Sequence, residues 1–228
     1  MHICTFTSSD YNAGLIALAY SLAMNGNLPK TEWTHIYWDS VSDRTMDMIK
    51  DLGFSVNEPI HMEKLANLTS PHKTEERLRI AWHKIGLFFL PISDTVVYMD
   101  SDLFCLRSVL GLAKWEHFTA VPDKGKGDPK KINGHTVFQT SIMGLKPDKA
   151  LGNEIYEYAK SHGNFPLADL GLLNDYYLKT NPQAVKYAPL EYSLHHGRFQ
   201  KYPKEAAKCR LIHYCGGRKK ERYAKWAN

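Results

Sequence analysis

The sequence predicts an α/β fold: one domain with a mostly parallel central sheet flanked by helices. Three observations carry this expectation. Strand-prone and helix-prone segments alternate from the first residue. Thr95 to Met99 is an uninterrupted apolar run between Asp94 and Asp100, as a central strand buried on both faces requires. The 228 residues, 43% hydrophobic and 12% aromatic, are enough for one proper core, and no linker, repeat or low-complexity stretch divides them.

Taken in order, Ile3 to Thr7 is a β-prone run closed by Ser8-Ser9-Asp10, a cluster suited to a turn or a helix N-cap. Ala13 to Met24 spaces its apolar residues as a helix does, and Asn25-Gly26-Asn27 with Pro29 beyond stops it. His35 to Trp38 forms a second strand. Ser42 then caps a helix reaching Leu52-Gly53, and Phe54 to Ile60 reads as a third strand. A helix from about Glu75 to Leu90, stopped by Pro91, precedes the apolar strand. Phe118 to Val121 and Val137 to Leu145 read as strands, Asp148 to His162 and Asp169 to Leu178 as helices, and Arg210 to Tyr214 as a last short strand. Asp123 to His135, rich in Gly, Lys and Pro, reads as a mobile surface loop.

Composition excludes several classes. Disorder does not fit this apolar content. No apolar run approaches the ~20 residues of a membrane span, and Met1 to Phe6 lacks the basic and long apolar regions of a signal peptide. Cys4, Cys105, Cys209 and Cys215 form no C-x-x-C and suit no small disulfide scaffold. They read as free, buried thiols of a reducing, cytoplasmic compartment. The formal net charge of +5 lies wholly on residues 210–228, where Arg210, Arg218, Lys219, Lys220, Arg222 and Lys225 face one acid, Glu221. Such a segment either seeks polyanions or faces one anionic ligand.

Two constellations bear on chemistry. Tyr98-Met99-Asp100-Ser101-Asp102 places two carboxylates just past the carboxyl end of the buried strand, where open α/β sheets bind ligands. Their mutual repulsion is best relieved by a divalent cation, although Asp-Ser-Asp also occurs in plain exposed turns. In His213-Tyr214-Cys215-Gly216-Gly217-Arg218-Lys219-Lys220, an imidazole ends a strand, two glycines allow close approach, and cations suited to phosphate follow. Taken alone, it reads better as a capped last strand with a solvated basic tail. Together, the carboxylate pair, the imidazole and the cations describe a metal–diphosphate site, with Mn²⁺ preferred over Mg²⁺ by the mixed O/N ligand set.

These residues resemble, in order and spacing, the motifs of the glycogenin-like members of glycosyltransferase family 8, over nearly the whole chain. The resemblance implies a single Rossmann-like GT-A domain over residues 1–228, with a nucleotide-binding half of about 1–105 and an acceptor and sugar half of about 106–228. Thr5, Phe6, Thr7 and Ser8 look like the opening strand and turn that hold uridine, and Tyr11 like the ring that stacks on uracil. Arg77, Arg79 and Lys84 resemble basic residues that contact the donor. Asp100, Ser101 and Asp102 match the metal-binding D-x-D. Phe138-Gln139-Thr140-Ser141-Ile142-Met143 is similar to the sugar-lining F-N-S-G-V-F strand, and Asp169-Leu170-Gly171-Leu172-Leu173-Asn174 to D-Q-G-x-L-N. His213, Gly216 and Lys219 match H-x-x-G-x-x-K, with His213 as third metal ligand and Lys219 on the diphosphate. Four departures stand out: Gln139 for Asn, Ser141 for Gly, Leu170 for Gln, and Lys220-Glu221 for Pro-Trp.

The resemblance implies a retaining, metal-dependent transfer of a hexose or pentose, glucose favoured, from a UDP-sugar to a glycan or protein hydroxyl. Asp169 is the carboxylate beside the reacting carbon, and Lys219 helps to stabilise the departing UDP. Mainly hydrolytic turnover of UDP-sugar is the alternative that Leu170 motivates. Nucleic-acid binding through the basic tail fits a sequence whose other 209 residues are neutral less well. No membrane span is expected, and a homodimer is an open option.

Overall fold

The computed structural model describes residues 1–7, 11–37, 42–58, 60–61, 83–123, 130–162, 165 and 169–214. Strand β1 (His2–Thr7) lies at the middle of an eight-stranded sheet, parallel to β2 (Glu32–Tyr37) on one side. Between them, helix α1 (Asn12–Asn25) buries Leu15, Leu18, Ala19 and Leu22, the i, i+3, i+4, i+7 stripe of an amphipathic helix. It ends where the Gly26 N–H reaches Leu22 O at 2.8 Å. Helix α2 (Asp43–Asp51) begins at Ser42, whose hydroxyl accepts from Thr45 N at 3.2 Å, and is followed by Gly53 at φ +92°, a left-handed stop that suits glycine.

Beyond α2 the expected strand Phe54 to Ile60 is two fragments, β3 (Ser55–Val56) and β4 (Ile60–His61), both parallel to β2. Of the expected helix Glu75 to Leu90, residues 75–82 lie outside the described residues. His83–Phe89 is a 3₁₀ helix ending just before Pro91. Strand β5 (Val96–Asp100) is parallel to β1 on its other side, with Val96, Tyr98 and Met99 wholly buried. β6 (Leu103–Cys105) leaves the main sheet directly after the Ser101-Asp102 turn.

The second half closes the sheet with antiparallel pairing. β7 (Thr119–Pro122) is followed by a small hairpin, β8 (Lys131–Ile132) and β9 (His135–Thr136), inside the stretch expected to be a mobile loop; residues 124–129 lie outside the described residues. β10 (Phe138–Leu145) runs antiparallel to both β5 and β7, with a register shift between Phe138 and Met143. Helices α3 (Lys149–His162) and α4 (Asp169–Thr180) follow, then β11 (Lys186–Tyr187), parallel to β7. The order is β11-β7-β10-β5-β1-β2-β3, mostly parallel as the sequence implies. A second sheet, β12 (Leu194–His195), β13 (Leu211–His213) and β6, was not anticipated.

Each face of the main sheet carries its own core. Alternation sends Cys4, Phe6 and Tyr98 to one side, against Phe138, Leu172, Tyr176 and Tyr177. Ile3, Trp33, Val97 and Met99 go to the other, against α1 and α2. Gly152 of α3 fixes the 3₁₀ helix: a Cβ there would lie 2.7 Å from the Phe89 ring and 2.9 Å from Phe88. Any larger residue would push α3 off that helix, and the helix carries Lys84.

Candidate active site

The site forms at the carboxyl end of β5, the place an open α/β sheet reserves for ligands. Asp100 is the last residue of β5, and Asp102 sits in the turn into β6. β13 pairs antiparallel to β6 with His213 opposite Leu103, and Tyr214 N bonds Asp102 O at 3.0 Å. This second sheet therefore brings a residue 111 positions downstream onto the D-x-D turn. His213 Nε2 lies 3.1 Å from Asp102 Oδ1 and 3.9 Å from Asp100 Oδ2. One ligand atom from each of the three residues lies within 4.8 Å of the others.

Lys84 joins this cluster to Asp169. Its Nζ is 2.9 Å from Asp100 Oδ1, 3.0 Å from Asp169 Oδ2 and 3.1 Å from Thr140 O, while the residue is only 7% exposed. The Lys84 ammonium thus donates to the Thr140 carbonyl and forms ion pairs with both carboxylates. Burial pulls the Lys84 pKa down, but the Asp100 and Asp169 charges more than reverse this and hold it above its ordinary value. Asp169 opens α4, which favours a carboxylate at that helix end. Burial nonetheless pushes its carboxyl above the usual range, against the Lys84 charge and a hydrogen bond from Thr140. Tyr98 OH donates to Asp100 Oδ1 at 2.6 Å, and the phenol, raised well above 10.0 by burial and the Asp100 charge, stays a donor.

The charge balance favours a divalent cation. Among the described residues, Lys84 contacts Asp100 and Asp169 while Asp102 faces His213, so three carboxylates and one ammonium gather there. The oxygen–oxygen–nitrogen set suits Mn²⁺ or Mg²⁺, so the residues present fit the metal that the motif implies.

No family model matches the chain. Glycogenin of Neurospora crassa is 26% identical over 212 residues, covering 92% of this chain and 29% of that protein. Glycogenin-1 of Caenorhabditis elegans is 21% identical over 217 residues, covering 92% of this chain and 48% of that protein. The crystal structure of the galactosyltransferase LgtC in complex with donor and acceptor sugar analogs superposes with a TM-score of 0.69 at 15% identity, over 100% of this chain and 95% of that one. The chain is similar in sequence to glycogenins over most of its length. Its fold is GT-A. It spans less than half the length of these two glycogenins.

In this glycogenin-like chain the sequence-derived residues do not all converge on one place. Lys84, Asp100, Asp102, Thr140, Asp169 and His213 converge as described. Thr7 Oγ1 reaches Ser101 Oγ at 3.5 Å, which ties the end of β1 to the D-x-D turn; Tyr11 stands part-exposed at the start of α1. Thr5 and Phe6 turn inward. Thr5 Oγ1 accepts from Trp33 Nε1 at 2.9 Å and pairs with His35 Nδ1 at 3.0 Å, while Phe6 is core. Gln139 is likewise engaged within the protein: Nε2 donates to Pro122 O and Ser193 O, both at 3.1 Å, and Oε1 accepts from Ser193 Oγ at 2.9 Å and Ser141 Oγ at 3.3 Å. Leu170 gives its carbonyl to Asn174 Nδ2 at 2.8 Å. Ser8, Arg77, Arg79, Gly216 and Lys219 lie outside the described residues.

Two residues gain roles that the motifs did not state. Asn174 bolts α4 to β10, donating to Phe138 O at 2.9 Å and accepting from Phe138 N at 2.8 Å. It thereby satisfies Phe138 where β10 runs beyond its pairing with β5, which covers Ile142 to Leu145. Its signal was its place in D-x-G-x-L-N. Tyr98 is the other, and period-2 alternation could have shown it on the same face as Asp100.

Proposed function

We propose that the chain is a metal-dependent retaining glycosyltransferase that moves a sugar, glucose favoured, from a UDP-sugar to a glycan or protein hydroxyl. The observation that carries this reading is the convergence of Asp100, Asp102 and His213 beside the Lys84–Asp169 pair. Asp100, Asp102 and His213 would hold Mn²⁺ or Mg²⁺, which when bound neutralises charge on the diphosphate as it leaves. The backbone of Thr5, Phe6, Thr7 and Ser8 would frame the nucleoside, the Thr5 and Phe6 side chains turning inward, and the Tyr11 ring would stack on uracil. Arg77, Arg79 and Lys84 would serve the donor, and Thr140, backed by Gln139 and Ser141, would line the sugar pocket. Asp169 stabilises positive charge at the anomeric carbon while the acceptor hydroxyl attacks from the face that UDP leaves. Gly216 admits the diphosphate close to the backbone, and Lys219 binds it.

The chemistry predicts Mn²⁺-dependent turnover of one member of a panel of UDP-glucose, UDP-galactose, UDP-xylose and UDP-N-acetylglucosamine. UDP-glucuronate belongs in the panel because a relative from Arabidopsis thaliana, 26% identical over 139 residues, is an inositol phosphorylceramide glucuronosyltransferase. Turnover that persists undiminished in EDTA would sink the metal assignment. A hydrolytic reading draws on Leu170, whose apolar side chain next to Asp169 cannot hydrogen-bond a sugar. Free sugar released beside sugar transferred separates the two, and intact mass reports self-modification. The buried free thiols Cys4, Cys105 and Cys209 favour a reducing compartment, and no helix among the described residues is long and apolar enough to cross a membrane.

A further inference from the structure

We propose that Tyr98 is a positioning residue, orienting Asp100 so that its Oδ2 alone faces the Asp102–His213 cluster. The inference rests on the metal-site reading above and concerns a residue to which that reading gives no role. Asp100 Oδ1 accepts from Tyr98 OH at 2.6 Å and lies 2.9 Å from Lys84 Nζ. A carboxylate oxygen has two lone-pair sites, so these two donors fill Oδ1. Oδ2 is the oxygen on the His213 side, 3.9 Å from Nε2. Asp100 is thereby set up to bind a cation through one oxygen in a fixed orientation.

Tyr98 is suited to this task. It is wholly buried, two residues before Asp100 on the same face of the central strand. Its backbone is held between Cys4 of β1 and Met143 of β10, and its ring lies under the Lys84 ammonium, 5.1 Å from Nζ. With no exposed surface, the phenol acts through Asp100 and not on substrate. Partners that orient a metal ligand commonly matter to affinity by roughly 10–100-fold when removed.

The test is Mn²⁺ affinity without nucleotide, read from the free-ion electron paramagnetic resonance signal, so that it does not depend on activity. Tyr98→Phe removes one oxygen and preserves the ring, and circular dichroism checks that the fold is kept. The expected result is Mn²⁺ binding weakened by roughly tenfold or more. In an Asp100→Ala background the same change should have no further effect, because the group it acts through is gone. Affinity in Tyr98→Phe within about twofold of the parent, or tighter, overturns the proposal. So does a full Tyr98→Phe effect that persists in Asp100→Ala. If the unsubstituted chain binds no Mn²⁺, with or without UDP, the metal-site reading itself fails and this inference falls with it.

Discussion

Lys84→Met tests whether the buried ammonium holds the site together. Methionine keeps the length and apolar stem of lysine but donates nothing, so the contacts at 2.9, 3.0 and 3.1 Å to Asp100, Asp169 and Thr140 all go. Asp100 keeps the Tyr98 hydroxyl and a 23% exposed side chain, whereas the Asp169 side chain is only 6% exposed and loses its positive neighbour. Removing one partner of a buried ion pair costs ~3–5 kcal/mol. Asp100's remaining partner places this case near the lower end, at about 3 kcal/mol. Domains of this kind have ~5–15 kcal/mol of stability, so the variant should remain folded and measurable.

The pH dependence follows from the sign of the Asp169 shift. Burial already holds this carboxyl above its unfolded value, and losing Lys84 removes the main opposing influence. In the variant, folded Asp169 therefore retains a proton through a window in which the unfolded chain has released it. Stability in that window falls as pH rises and recovers as pH falls towards the unfolded carboxylate value of about 3.9. Urea unfolding followed by circular dichroism in EDTA should show the full deficit at neutral pH and a smaller one near pH 5. A deficit under ~1 kcal/mol at neutral pH, or one that grows on acidification, would refute the keystone role of Lys84.

Three further outcomes follow from the same contacts. Asp102→Ala should abolish metal-dependent cleavage of the sugar–phosphate bond with the fold intact, and His213→Ala should do so less severely; steady-state rates over a Mn²⁺ titration check both. His35 is wholly buried with Nε2 unpartnered among the described residues, and desolvation lowers its pKa to about 4. Because the unfolded chain takes up this proton near pH 6.5, native stability should fall by about 3 kcal/mol between pH 6.5 and 4. A proton NMR titration of His35 with a midpoint above 6 contradicts this. Gln139→Asn shortens the side chain by one methylene, so it cannot span Pro122 O, Ser193 O and Ser193 Oγ together. The expected cost is about 2 kcal/mol in urea unfolding, and a variant as stable as the parent would show that the amide is not a structural tie.

The fold was legible where one local signal dominated. The apolar run at Thr95 to Met99 and the alternation before it specify β5 as a buried parallel strand, and Ser42 and Gly53 mark the ends of α2 through capping and left-handed backbone. Legibility failed where tertiary pairing decides. The two-residue strands β8 and β9 are too short for a periodicity to register, and the Gly, Lys and Pro around them read as loop, while the strand expected over Phe54 to Ile60 is broken into β3 and β4. β12 was hidden for the same reason: Leu194-His195 becomes a strand only because β13 lies beside it in register.

The site divides along the same line. Asp100 and Asp102 were readable because both sit on one local turn after one strand, and their chemistry needs no distant partner to be suspected. His213 was readable only through its motif, since sequence separation alone says nothing of the β13–β6 pairing that delivers it. Gln139 and Ser141, two departures from the family pattern, show what a motif comparison omits. They form one hydrogen-bonded unit with Ser193, a residue outside every motif, and Ser141 Oγ lies 3.0 Å from Ser193 Oγ. A Gln in place of Asn reaches across to that segment, and a Ser in place of Gly supplies a hydroxyl beside it. Read singly, each substitution looks like an altered sugar contact; read with Ser193, the pair joins β10 to the segment that leads into β12, and so to the sheet that carries His213.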